Sequence, residues 1–242
     1  MKIAVILDPS AGLTDATFRR ASAAMAVYLT RDVAPAYMLP APSLVIVSDT
    51  NHPDVDAWIK IVGRIEDAPS ALGYHTVDDD GGIDGYVSTD GLAFDGFCEV
   101  YGHELAELLV DPNVNETRVA ANGDRYPLEV CDAVQGQRYL LALNDGKPPV
   151  ALPNFVLPGY WQADAHPGLV AFDHMGNLSG PFTLAPEGYS AITKPDGTQV
   201  QIGLASRRRA HAMSRPERRK RTPQRANVEG VDSVVIVECS HR

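Results

Sequence analysis

His103, Glu107 and Asp111 fall at i, i+4 and i+8 in the run Gly102-His103-Glu104-Leu105-Ala106-Glu107-Leu108-Leu109-Val110-Asp111. On a helix each residue turns by about 100°, so these side chains drift by only about 40° per step and share one stripe. An imidazole and carboxylates on one stripe are the donors that a divalent metal takes from protein. Glu104 directly follows the histidine, where a metalloprotease keeps its general base. There it would take a proton from water at the metal and pass it to a leaving amine. The pattern reads H-E-x-x-E rather than the usual H-E-x-x-H, with Glu107 standing where a second histidine would be.

His103 and Glu107 supply one ligand each, and the third has several candidates. Asp111 lies one turn further on, while Glu129 and Asp132 belong to Leu128-Glu129-Val130-Cys131-Asp132, on a hairpin close enough in sequence to fold back over the helix. Catalytic zinc takes three protein ligands and keeps one position open. A set with one histidine and two carboxylates is harder than most zinc sites, so manganese, or calcium with His103 turned away, also fits. In the competing reading, Glu99, Glu104, Glu107 and Asp111 are the solvated face of an amphipathic helix. Cys131 is a soft donor, but on a strand its side chain would point away from its neighbours and into the core. His75, on a strand near the helix, can reach the site or simply pack. His174 is a candidate second-layer group or a plain loop residue. Tyr74 and Tyr101 are candidate oxyanion donors or half-buried core. Asp78-Asp79-Asp80-Gly81 lacks the spacing of a calcium loop, and Asp8-Pro9-Ser10-Ala11-Gly12 lacks the Lys and Ser/Thr of a phosphate loop.

The elements that must hold these residues can be read from periodicity. Residues 3–7 are a continuous apolar run, expected as a buried strand. Thr14 or Asp15 caps a helix expected to reach about residue 31. Strands are expected at 43–47, 73–77 and 85–89, the last two joined through the Asp-Gly run, while 57–65 is ambiguous. The motif helix is expected over 95–110, ended by Pro112. A hairpin at 117–120 and 128–131 turns at Ala121-Asn122-Gly123-Asp124. A strand follows at 138–143, then ordered loops over 148–189. Residues 234–237 form a short strand that must find a sheet edge.

The chain has 242 residues, 45% of them hydrophobic, with 20 glycines and 18 prolines, so one loop-rich domain with appendages is expected. Its net charge of −10 argues against a general nucleic-acid binder. Nine of its 21 basic residues crowd between Arg207 and Arg225, opposed only by Glu217, which leaves a strongly acidic body. Arg207, Arg208, Arg209, Arg218, Arg219, Lys220 and Arg221 of this arm are candidate contacts for phosphate or for an acidic partner surface. Cys98, Cys131 and Cys239 form no disulfide framework and suit a reducing compartment. The N-terminal apolar run is too short for a signal peptide, and no apolar stretch has the length of a membrane span, so no membrane partner is expected.

The strand-turn-strand before the helix, the H-E-x-x-E-x-x-x-D-P segment and the later E-V-C-D resemble a group of zincin-like metallopeptidases encoded mainly by bacteriophages and prophages. The resemblance covers roughly residues 72–189 and includes Pro153-Asn154-Phe155-Val156-Leu157-Pro158 and Phe172-Asp173-His174. It implies an α+β fold: a zincin-like core with a mixed sheet, an edge strand over the cleft and a metal-site helix beneath. By that analogy the edge strand is 85–89, where Tyr86, Val87 and Ser88 would pair with an extended peptide. From charge and residue pattern, the expected organisation is a domain over 1–205, a basic arm or linker over 206–225 and a strand segment over 226–242. The expected function is a zinc-dependent peptidase with Glu104 as base, located in the host cytoplasm or the virion. The alternative, from a different class, is a non-catalytic virion or assembly protein that keeps the scaffold. In it, homo-oligomer or particle contacts run through the loops and arm, with nucleic-acid contact through the arm a third role.

Overall fold

The computed structural model describes residues 1–48, 54–203 and 235–236. Six strands form the main sheet: β1 (Lys2–Leu7), β2 (Ser43–Val47), β3 (Ala57–Val62), β4 (Gly73–Val77), β5 (Ile83–Ser88) and, at the far end, β12 (Val235–Ile236). Their order is β12-β2-β1-β3-β5-β4. β2, β1, β3 and β5 run parallel, whereas β4 and β12 are antiparallel to their neighbours. The sheet is therefore mixed, and the short C-terminal strand does join an edge, that of β2.

β1 and β2 read as unbroken apolar runs because a parallel strand here is covered on both faces. They are linked by α1 (Asp15–Val27), whose start is fixed by Thr14 accepting the Thr17 N–H at 3.1 Å. The expected helix does not continue regularly to residue 31. Thr30 Oγ1 donates to the Ala26 carbonyl at 2.7 Å, and the chain widens into a π-helical stretch over Tyr28–Val33 before a last turn, α2 (Ala34–Ala36).

The motif helix, α3 (Phe94–Val110), lies with α1 on one face of the sheet, an α+β layering. Its other side is covered by the antiparallel pair β8 (Arg138–Leu141) and β9 (Val150–Pro153). Twelve of its residues, running from Phe97 to Leu109, are buried, including Glu104 and Glu107 at 0% exposure. This overturns the reading of Glu104 and Glu107 as part of a solvated acidic face. The layers approach so closely because position 102 has no side chain. A Cβ there would lie 2.7 Å from Pro153 Cδ and 3.1 Å from Met25 Sδ.

A second sheet, in the order β11-β10-β7-β6, comprises β6 (Thr117–Val119), β7 (Arg125–Pro127), β10 (Tyr189–Thr193) and β11 (Gln199–Gly203). The expected strand at 128–131 is absent. The chain leaves β7 at Pro127, turns, and enters a 3-10 turn over Asp132–Val134.

One further expectation is corrected. Residues 85–88 are not the edge strand, because β5 pairs with β3 on one side and β4 on the other. Tyr86, Val87 and Ser88 therefore have no backbone edge to offer a peptide, and β4 is the strand at the end of the sheet.

Gly102→Ala should destabilise the protein by about 1–3 kcal/mol, since neither the Pro153 ring nor the buried helix can give way. Chemical denaturation checks this, and an unchanged or raised midpoint would contradict the close approach of α3 to β9.

Candidate metal centre

α3 projects His103 and Glu107 from successive turns, and the turn after β7 brings Glu129, Cys131 and Asp132 down onto them. His103 Nε2 lies 3.2 Å from Glu107 Oε1 and 3.3 Å from Asp132 Oδ1. The Glu129 carboxyl is within hydrogen-bonding reach of Glu107. The backbone N–H of Cys131 donates to Glu107 Oε1 at 3.2 Å. The donor atoms of His103, Glu107 and Cys131 all lie within 4.8 Å of one another. Strand alternation does not separate these side chains because Cys131 has αR dihedrals (φ −104, ψ −19) at the start of the 3-10 turn.

Glu104 points elsewhere, toward β4. A Cβ on Gly73 would sit 2.6 Å from Glu104 Cγ, so the strand passes directly over this carboxylate. His75, also on β4 and fully buried, places Nδ1 4.0 Å from Glu104 Oε2. Its Nε2 is 3.1 Å from the Asp111 carbonyl, which can only accept, so Nε2 carries a proton while Nδ1 faces Glu104. The donor atoms of His75, Glu104 and Glu107 form a second group within 4.8 Å. Glu107 thus belongs to both groups.

Electrostatics follow from burial. Desolvation opposes charge on His103, but Glu107 and Asp132 outweigh it and hold the imidazole proton well above its ordinary range. Burial raises Glu107, with Glu129 adding to the effect and His103 opposing it. Burial likewise holds the Cys131 thiol far above its ordinary range. Tyr189, reaching in from β10, is raised first by burial and then by Asp132 and Glu107, whose carboxylates lie near its hydroxyl.

Two imidazoles and four carboxylates, all nearly inaccessible, make an unusual interior. Such charge is retained only when paired or coordinated to metal. The nitrogen, carboxylate oxygen and sulfur donors present suit a divalent cation, so the residues fit a metal centre.

Of the candidate third ligands, the structure brings Asp132 and Glu129 to His103 and Glu107 and gives Asp111 another job. Asp111 ends α3 with φ −132 and ψ 68. Its carboxylate accepts the N–H groups of Asn115 at 3.2 Å and Glu116 at 3.0 Å, fastening the chain reversal after the helix. Tyr101 is core, stacked on Phe97 with its hydroxyl 3.3 Å from Ser22. The Tyr74 hydroxyl donates to Asp67. His174 is exposed, stacked on Phe155 and tilted against Tyr139. Arg207, Arg208, Arg209, Arg218, Arg219, Lys220 and Arg221 lie outside the described residues. Nothing in its local sequence marks Tyr189, whereas Cys131 is the soft donor expected in the core and is buried there, carried by a turn rather than a strand.

No family model, curated protein or solved structure matches this chain. Among the described residues no helix is long and apolar enough to cross a membrane.

Asp111→Ala should lower stability by about 1–3 kcal/mol, the range for hydrogen bonds to a charged group, while leaving metal uptake unchanged. Elemental analysis of the folded variant checks this, and loss of uptake would return Asp111 to the ligand set.

Proposed function

We propose that this chain is a metal-dependent peptidase of phage type, built on a zincin-like core. The observation that carries this reading is the division of labour along α3. His103 and Glu107 converge with Asp132 and Glu129, whereas Glu104, adjacent to that convergence, lies under β4 at the sheet edge. A carboxylate beside the ligands and against an edge strand is placed to act on a peptide lying along that strand.

His103 and Glu107 would hold the metal, with Asp132 or Glu129 beside them, and zinc is the ion we assign. When bound, it supplies a Lewis acid for the scissile carbonyl and acidifies water. Glu104 accepts the proton of the attacking water and returns it to the leaving amine nitrogen. His75, held at Nε2 by the Asp111 carbonyl, keeps its ring on the strand side of Glu104 with Nδ1 4.0 Å from the carboxylate. The peptide-pairing role moves from Tyr86, Val87 and Ser88 to β4. Tyr189, whose hydroxyl lies near Asp132 and Glu107, would donate to a developing oxyanion.

Burial favours a second reading. Every donor, and β4 from Gly73 to Thr76, is nearly sealed from solvent, as befits a structural metal inside a non-catalytic assembly component.

Elemental mass spectrometry should find about one zinc per chain in the wild type and none in His103→Ala. Glu104→Gln should keep the zinc while hydrolysis of quenched fluorescent peptides falls by at least about 100-fold. Zinc that raises the melting temperature without hydrolysis in the wild type would decide for the structural reading, and no zinc uptake would defeat both.

Zinc affinity should also depend on pH. The proton on His103 is held above its ordinary range, so the metal must displace it, and affinity should rise with pH. Chelator competition should show at least about tenfold weaker binding at about pH 6 than at about pH 8. Affinity independent of pH would remove His103 from the ligand set.

A further inference from the structure

We propose that Cys131 is a thiolate ligand of the metal, taking the third place beside His103 and Glu107 in preference to Asp132 or Glu129; this rests on the metal centre proposed above. Three observations converge. Sγ of Cys131 is the atom that lies within 4.8 Å of both helix donors. The carboxylate and the cysteine are already fastened together, since the Cys131 N–H donates to Glu107 Oε1. On the far side of the sulfur, the buried Tyr28 hydroxyl stands 4.0 Å from Sγ, where it can donate a weak hydrogen bond to the sulfur.

Charge balance is compatible with this set. A divalent ion with one neutral imidazole, one carboxylate and one thiolate makes a neutral centre. In an interior where His103, Glu107 and Cys131 are all buried, a neutral centre costs least to desolvate. A second carboxylate in place of the imidazole or added to the set would leave net negative charge. The thiolate also selects the ion: soft sulfur favours zinc or cobalt and disfavours the manganese and calcium that a purely carboxylate site admits. Coordination requires the thiol to lose its proton on metal binding, and the tight sulfur–metal interaction supplies the drive.

The probe is cobalt(II), added to the metal-free full chain under reducing conditions and followed by absorption. The expected result is a near-ultraviolet thiolate-to-cobalt charge-transfer band, together with the visible bands of tetrahedral cobalt, in the wild type and in Cys98→Ser. Cys98 is buried on α3 outside both donor groups. Cys131→Ser should lose the near-ultraviolet band and bind cobalt more weakly, by at least about tenfold. Visible bands without the near-ultraviolet band in the wild type would overturn the thiolate assignment and leave the metal centre standing. No cobalt uptake at all would overturn both. Should Cys131→Ser fail to fold, X-ray absorption of zinc-loaded Cys98→Ser decides. One sulfur scatterer at about 2.3 Å supports the assignment, and a shell of nitrogen and oxygen alone at about 2.0 Å overturns it.

Discussion

A helix that carries ionisable side chains yet is buried along nearly its whole length constrains everything around it. Most helices solve this problem by turning their charged stripe to water. α3 cannot, because the main sheet lies on one side and the β8–β9 pair on the other. His103, Glu104 and Glu107 must therefore find partners from elsewhere in the chain. They find them in two places: the turn after β7 for His103 and Glu107, and β4 for Glu104. The packing that seals the helix also decides which of its charged residues face which neighbour.

That arrangement explains why the centre is assembled from segments far apart in sequence. The parallel strands β2, β1, β3 and β5 provide a flat apolar floor, and α1 and α3 lie side by side on it. β4 returns antiparallel at the end of the sheet and places Gly73 and His75 over the helix. Gly73 makes room for a carboxylate, and His75 spans from that carboxylate to the end of the helix. The second sheet contributes from the opposite direction, delivering Tyr189 on β10 and the Glu129–Asp132 turn from β7. Neither sheet alone contains a complete donor set.

Much of this could be read from residue patterns, and the failures have physical causes. The apolar run at the N-terminus, the Thr14 cap and the extent of α3 are local signals, set by side chains a few residues apart, and they match the structure closely. The H-E-x-x-E spacing placed His103 and Glu107 together because i and i+4 neighbours meet on any helix. Asp111 failed because the spacing argument assumed that the helix continues to it, whereas its own carboxylate caps the reversal that follows. The strand expected at 128–131 failed because Val130 and its neighbours alternate like a strand while tertiary contacts impose a turn, although Cys131 is buried as expected. The edge strand was misassigned because which strand ends a sheet depends on long-range pairing that no local pattern encodes. The β10–β11 hairpin did carry a local mark, Pro195-Asp196-Gly197, at its reversal.

The bond from His75 to the Asp111 carbonyl makes the length of α3 a chemical variable. That carbonyl is exposed to the imidazole only because the helix stops there, short of Pro112. A helix one residue longer or shorter would present a different oxygen, or none, and the proton would be free to shift between the ring nitrogens. Where the chain chooses to end a helix therefore decides which nitrogen of a histidine 36 residues earlier must hold a proton.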